Sequence, residues 1–122
     1  MDESILTSIK KLLGIPEDYT QFDMDIIIHI NTVFAILTDL GVGPSEGFAI
    51  SDKTTKWSEF ISNTKRLESV KSYVYMKTRL LFDPPTSSAV SESMNRLISE
   101  LEWRINMVVD PGDNGEEGTS NG

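Results

Sequence analysis

The only histidine, His29, stands four residues after Asp25, the spacing at which an imidazole and a carboxylate can pair on one helix face. Such a pair can begin a general base, but a nucleophile has to stand beside it. The chain has no cysteine, and no serine lies within a turn of His29, so this histidine reads as a structural residue. Without cysteine, disulfides and zinc sites of the usual Cys/His kind are also excluded. Asp23, Asp25 and Asp39 fall too far around or along one helical segment to converge on a metal, and Glu17-Asp18 opens a loop; these acids read as caps and solvated charge. Gly41-Val42-Gly43 and Gly47 lack the Gly-Lys-Ser/Thr ending and the preceding strand of a phosphate loop. The expectation is a protein that is not an enzyme, with no catalytic residues, no metal and no cofactor.

Charge is the next chemical signal. The 122 residues carry a net charge of −8, unevenly placed. Residues 63–82 hold five bases and one acid, whereas residues 110–122 hold four acids and no base. The five bases, Lys65, Arg66, Lys71, Lys77 and Arg79, scatter around a helix instead of forming the single stripe that a duplex would need, and the surrounding chain is acidic. They read as solvated or partner-facing, with Lys65, Arg66 and Arg79 the candidates for a partner. Farther on, Glu92, Arg96, Glu100 and Arg104 repeat at i, i+4 with alternating sign, an exposed ladder worth a few tenths of a kcal/mol per pair, about 0.2–0.5.

These residues have to be carried by helices, because the apolar period is helical almost throughout. The expected fold class is all-α, a compact bundle of about four helices. The first covers residues 3–13, with Ile5, Ile9 and Leu12 on one face, and is stopped by Gly14 and Pro16. The second covers 24–40, capped by Asp23, with Ile26, Ile27, Ile30, Val33, Phe34 and Leu37 facing the core. The third is central. It opens after Asn63 as N-cap, presents Leu67, Val70, Val74 and Leu81 flanked by Tyr73, Leu80, Tyr75 and Phe82, and must end at Asp83-Pro84-Pro85. The fourth covers 89–109, with Val90, Met94, Leu97, Leu101, Ile105 and Val108 as its core stripe. Between the second and third helices, residues 42–62 lose the helical period and predict a short β-hairpin or loop excursion, whose Phe48, Ile50, Trp57 and Phe60 must rest on the bundle or on another subunit. The chain thus divides into a helical domain, 1–109, and a disordered acidic C-terminal tail, 110–122, with no apolar surface to bury and no expected contribution to stability. An acidic N-terminus and the lack of a run of about 18 apolar residues predict neither a signal peptide nor a membrane span.

Order and spacing of these segments carry a resemblance. LLGIP (12–16), INTVFAILTDLGVGPSEGF (30–48), DKTTKWSEF (52–60), LESVKSYVYMKTRLLFDPP (67–85) and SMNRLISELEWRIN (93–106) together resemble the head-tail connector family of tailed bacteriophages and prophages, over residues 3–109. The resemblance implies a structural adaptor, made in the bacterial host cytoplasm and located in the virion at the head-tail junction. Its implied partners are the portal protein, a tail or second head-completion protein, and further copies of itself in a ring, a dodecamer in the virion. It implies no catalytic residue and no membrane, and DNA passing through the channel without specific binding. An acidic lumen suits that passage, since phosphate contacts are what hold a protein on DNA. A tail-side completion protein, and a DNA-packaging or DNA-binding helical factor, are the alternative readings.

One residue stands out on the last helix. With Val90 at zero, Trp103 falls near 220° and Met107 near 260°, away from the expected core stripe. Trp103 and Met107, with Trp57 and Phe60 of the excursion, are the candidate subunit-interface residues. The competing expectation puts Trp103 under another part of its own chain.

Overall fold

Ser4 starts the first helix by taking the Thr7 N–H on its hydroxyl at 3.1 Å, and α1 runs Ile5–Leu13. In this computed structural model, residues 3–62 and 64–113 are described, with side chains outside Thr64 and residues 107–113. Gly14 ends α1 at φ +82°: its N–H reaches Lys11 O at 3.1 Å and that of Ile15 reaches Lys10 O at 2.9 Å, the paired bonds of a Schellman motif. Ile5, Leu6 and Ile9 are buried, and Leu12 is not.

The second helix, α2, spans Asp23–Asp39 and buries the six residues that its period selects, Ile26, Ile27, Ile30, Val33, Phe34 and Leu37. Asp23 does not cap it. Asp23 is its first helical residue, and the carboxylate is drawn instead to Lys10 Nζ at 2.9 Å. Lys10 is 2% exposed, and its ammonium also donates to Glu17 O at 3.0 Å and Tyr19 O at 2.7 Å. A residue that looks like an ordinary last-turn cation thus ties down the 14–22 connection, because two of that segment's carbonyls accept from its ammonium and the Asp23 carboxylate pairs with its charge.

No hairpin forms in residues 42–62. The segment contains one helical turn, α3 (Trp57–Phe60), and its one β-type pairing is made with the N-terminus: Ile5 N–H donates to Thr55 O at 3.0 Å and Trp57 N–H to Glu3 O at 3.1 Å, across an isolated bridge between Ser4 and Lys56. Asn31 on α2 pins the middle, accepting from Ile50 N at 2.8 Å and donating to Ile50 O at 2.9 Å. A side-chain amide therefore plays the part of the missing strand. Asp52 takes the Thr54 N–H and hydroxyl and closes the turn, which holds its carboxyl below the usual range.

Phe34 is the hub on which the excursion rests. Its ring meets Phe48, Phe60 and Trp57 at centroid distances of 5.1, 4.6 and 6.3 Å. Such ring pairs add to the energy of burial. The Trp57 indole N–H donates to Ser8 Oγ at 2.8 Å, and Ser8 in turn donates to Ile5 O. Gly43, at φ +84°, lies against the Phe60 ring so closely that a Cβ would collide with it.

The central helix, α4, spans Thr64–Phe82, and the last, α5, spans Ser88–Asp113; α4 packs against α1, α2 and α5, which is the middle position that its broad apolar surface predicts. The Asn63 cap lies outside the described residues. Val70, Tyr73 and Val74 are buried, but Leu81 is 48% exposed. On α5 the seam is rotated from the expected stripe. Ile98 and Ile105 are buried while Val90 and Leu97 are about half exposed, because α5 packs mainly against α4 and a narrow line of contact suffices. Tyr73, 0% exposed, locks the pair by donating its hydroxyl to Glu102 Oε2 at 2.7 Å. Residues 114–122, most of the acidic tail, lie outside the described residues.

Candidate assembly surface

Side chains that hold the subunit together are separated cleanly from those left for something else. Trp57 and Phe60 are 1% and 4% exposed, spent on the chain's own core around Phe34. They are withdrawn from the candidate interface: their rings have no remaining surface to offer a neighbour. Trp103 is the opposite case. It is 67% exposed on α5, so the described residues leave most of the indole uncovered. The geometry explains why: the buried Ile98 and Ile105 face α4, and Trp103 lies about 140–160° around the helix from them. The Met107 side chain lies outside the described residues.

A second apolar area was missed by the sequence reading. Met24 and Ile28, 71% and 58% exposed, are one turn apart on α2, opposite the arc that packs. A groove is lined by Leu13, Ile15, Phe22, Phe82 and Asp83, where the Phe22 and Phe82 rings meet edge to face at 5.5 Å. The signal was present in Ile26-Ile27-Ile28, since three consecutive isoleucines on a helix span 200° and cannot all face one core.

Lys65, Arg66 and Arg79, expected to face a partner, are not brought together. Lys65 and Arg66 line a small recess with Ser69, Arg104 and Ile105 at the start of α4. Arg79 is at its far end, where it donates to Tyr75 Oη at 3.4 Å and to Asp83 O at 3.2 Å. No continuous basic track for a phosphate backbone results from this arrangement. His29 lies beside Phe82, with ring centroids 6.3 Å apart. Among the described residues no group of three or more His, Cys, Asp or Glu could hold a metal, and no helix is long and apolar enough to cross a membrane.

The surface therefore offers apolar anchors and charge, the materials of protein association. Residues 5–112 match a family described as phage connector protein. No curated protein and no solved structure matches the chain.

Proposed function

The chain belongs to the phage connector protein family, and from that premise we propose that it forms a ring between the portal and the tail, extending the DNA channel and joining head to tail. Membership already places it among structural proteins of the phage particle. What supports the finer reading is Trp103, a large aromatic left two-thirds exposed on the outermost helix of an otherwise well-packed subunit. Trp is the residue type that most often anchors interfaces, and an anchor on one outer face suits the head-to-tail contact from which rings are built. In this proposal the partners are the portal on one side and a tail or second head-completion protein on the other, in twelve copies around the channel. DNA passes through unbound, since the net charge is −8 and the bases are dispersed. The subunit stays monomeric until the portal offers a template.

The direct test mixes purified protein with purified portal rings and, separately, with tail tubes, and images both. A ring of density beneath the portal is expected. Binding to the tail tube alone would make this a tail-side completion protein and overturn the proposal.

A further inference from the structure

The end of the bundle where α1 stops, α2 starts and α4 stops combines acids with uncovered rings. Residues 12–28 contain four acids and no lysine or arginine, yet Tyr19 and Phe22 in the same stretch are 42% and 38% exposed. Their rings stand 5.6 Å apart, Phe22 meets Phe82 of α4 at 5.5 Å, and Phe82 meets His29 at 6.3 Å, so an aromatic row runs from the 14–22 connection onto α2. A contiguous apolar area open to water and rimmed by polar groups marks an interaction surface. The groove lined by Leu13, Ile15, Phe22, Phe82 and Asp83 has a volume of about 410 Å³. One water takes roughly 30 Å³, so the groove admits whole side chains.

Charge decides what kind of chain can enter. Asp83 is on the groove wall, Glu17 and Asp18 stand in the connection between Ile15 and Tyr19, and Asp25 is one turn after Phe22 on α2; all four acids are exposed. The bases at this end are engaged elsewhere or too few to balance them. Lys10 is buried against Asp23, Lys11 lines a different recess with Glu3 and Glu68, and Arg79 donates to Asp83 O and Tyr75 Oη. Such a rim repels phosphates and anionic lipid headgroups and attracts lysine and arginine. A second copy is a poor match: the chain carries −8, and its exposed Trp103 has Glu100 one turn away and Arg96 two turns away, whose charges cancel.

We propose that this groove is a docking site for a short cationic segment of another protein, which seats an apolar side chain against Phe22 and Phe82 and sets lysine or arginine over Glu17, Asp18, Asp25 and Asp83. Apolar contact supplies affinity, and the acids select the partner. The site is separate from the exposed face of α5: Tyr73, which holds Glu102 next to Trp103, is about 13 Å back along α4 from Phe82. The proposal therefore does not draw on ring assembly.

The probe is the capped hexapeptide Lys-Lys-Leu-Trp-Lys-Lys, with Glu-Glu-Leu-Trp-Glu-Glu as its acidic twin, titrated into the isotopically labelled full chain while amide peaks are followed. At about 0.15 M salt the cationic peptide should shift the amides of Leu13, Ile15, Phe22 and Phe82 saturably, and binding should weaken at about 1 M, where the Debye length falls from about 8 Å to about 3 Å. Glu17→Lys with Asp18→Lys should weaken binding on the order of tenfold, from the loss of two exposed ion pairs. Glu92→Lys with Glu100→Lys, the same charge change on exposed positions of α5, should leave it within about twofold, since screening confines the effect of remote charges. Equal binding of the acidic twin would overturn the proposal, as would shifts that miss the groove or an equal response to both double substitutions. Dilution of the chain without peptide is the remaining check and should leave the groove amides in place. Groove amides that move on dilution would put a second copy there and contradict a foreign partner.

Discussion

The two tryptophans of this protein have opposite surroundings. Trp57 stands at 1% exposure in a single turn of helix, held by its indole N–H to Ser8 and by the Phe34 ring, although the segment around it has almost no regular structure. Trp103 stands at 67% exposure in the middle of a 26-residue helix. Regular structure is thus no guide to which region is committed to the subunit. The irregular excursion is bound into the core by side chains, whereas the long regular helix rests mainly on α4 and keeps Val90, Leu97 and Trp103 exposed. This division lets the exposed face of α5 vary without loosening the core.

Substitutions can break the comparison at several points. The largest effect should come from Trp57→Ala, which empties an aromatic site between α1 and α2 and leaves Ser8 without its donor. A loss of about 3–5 kcal/mol is expected, seen as a fall in melting temperature of 10 °C or more, about 4 °C per kcal/mol at this size. A loss below about 1 kcal/mol would show that the excursion is loosely held. Next comes Lys10→Ala, which orphans the Glu17 and Tyr19 carbonyls and the Asp23 carboxylate. With Asp23 a quarter exposed, urea unfolding should register a cost near the lower end of the range for a buried pair, about 3 kcal/mol. Gly43→Ala adds a Cβ at positive φ against the Phe60 ring, and about 1–3 kcal/mol should be lost by the same measurement.

A pH effect comes from the contact that holds α5. Burial, reinforced by the Glu102 carboxylate, pushes the Tyr73 hydroxyl far above its ordinary value of 10.0. The folded state therefore favours the protonated phenol: its contribution is complete below pH 10 and is lost as pH rises beyond that, because the unfolded chain ionises first. Stability measured by denaturant between pH 9 and 12 should fall, and Tyr73→Phe should flatten that fall. An equal alkaline slope in the variant would remove Tyr73 as its source.

Much of this arrangement could be read in the sequence, and the parts that could not share a cause. The six buried positions of α2, the Gly14 stop and the central place of α4 follow from local period and local chain breakers. Missed features depend on partners distant in sequence. The hairpin expected in residues 42–62 was absent because Asn31 and residues 3–5 supply the backbone pairing that a second strand would have given. The burial of Lys10 could not be read locally, because its acceptors are in the following loop. Phe60 and Trp57 were placed at an interface because nothing local to them reveals that Phe34 receives them both. The exposed position of Trp103 on α5 is legible because a helical wheel needs no distant information.

The claim that α5 carries an assembly anchor is tested most directly by Trp103→Ala. Melting temperature and helicity of the isolated subunit should stay within error of the parent, since two-thirds of the indole is exposed among the described residues. Association with portal rings, followed by titration, should weaken by about 2 kcal/mol, close to thirtyfold in Kd. A variant that melts early with unchanged portal binding would contradict the account and return Trp103 to the subunit's own core.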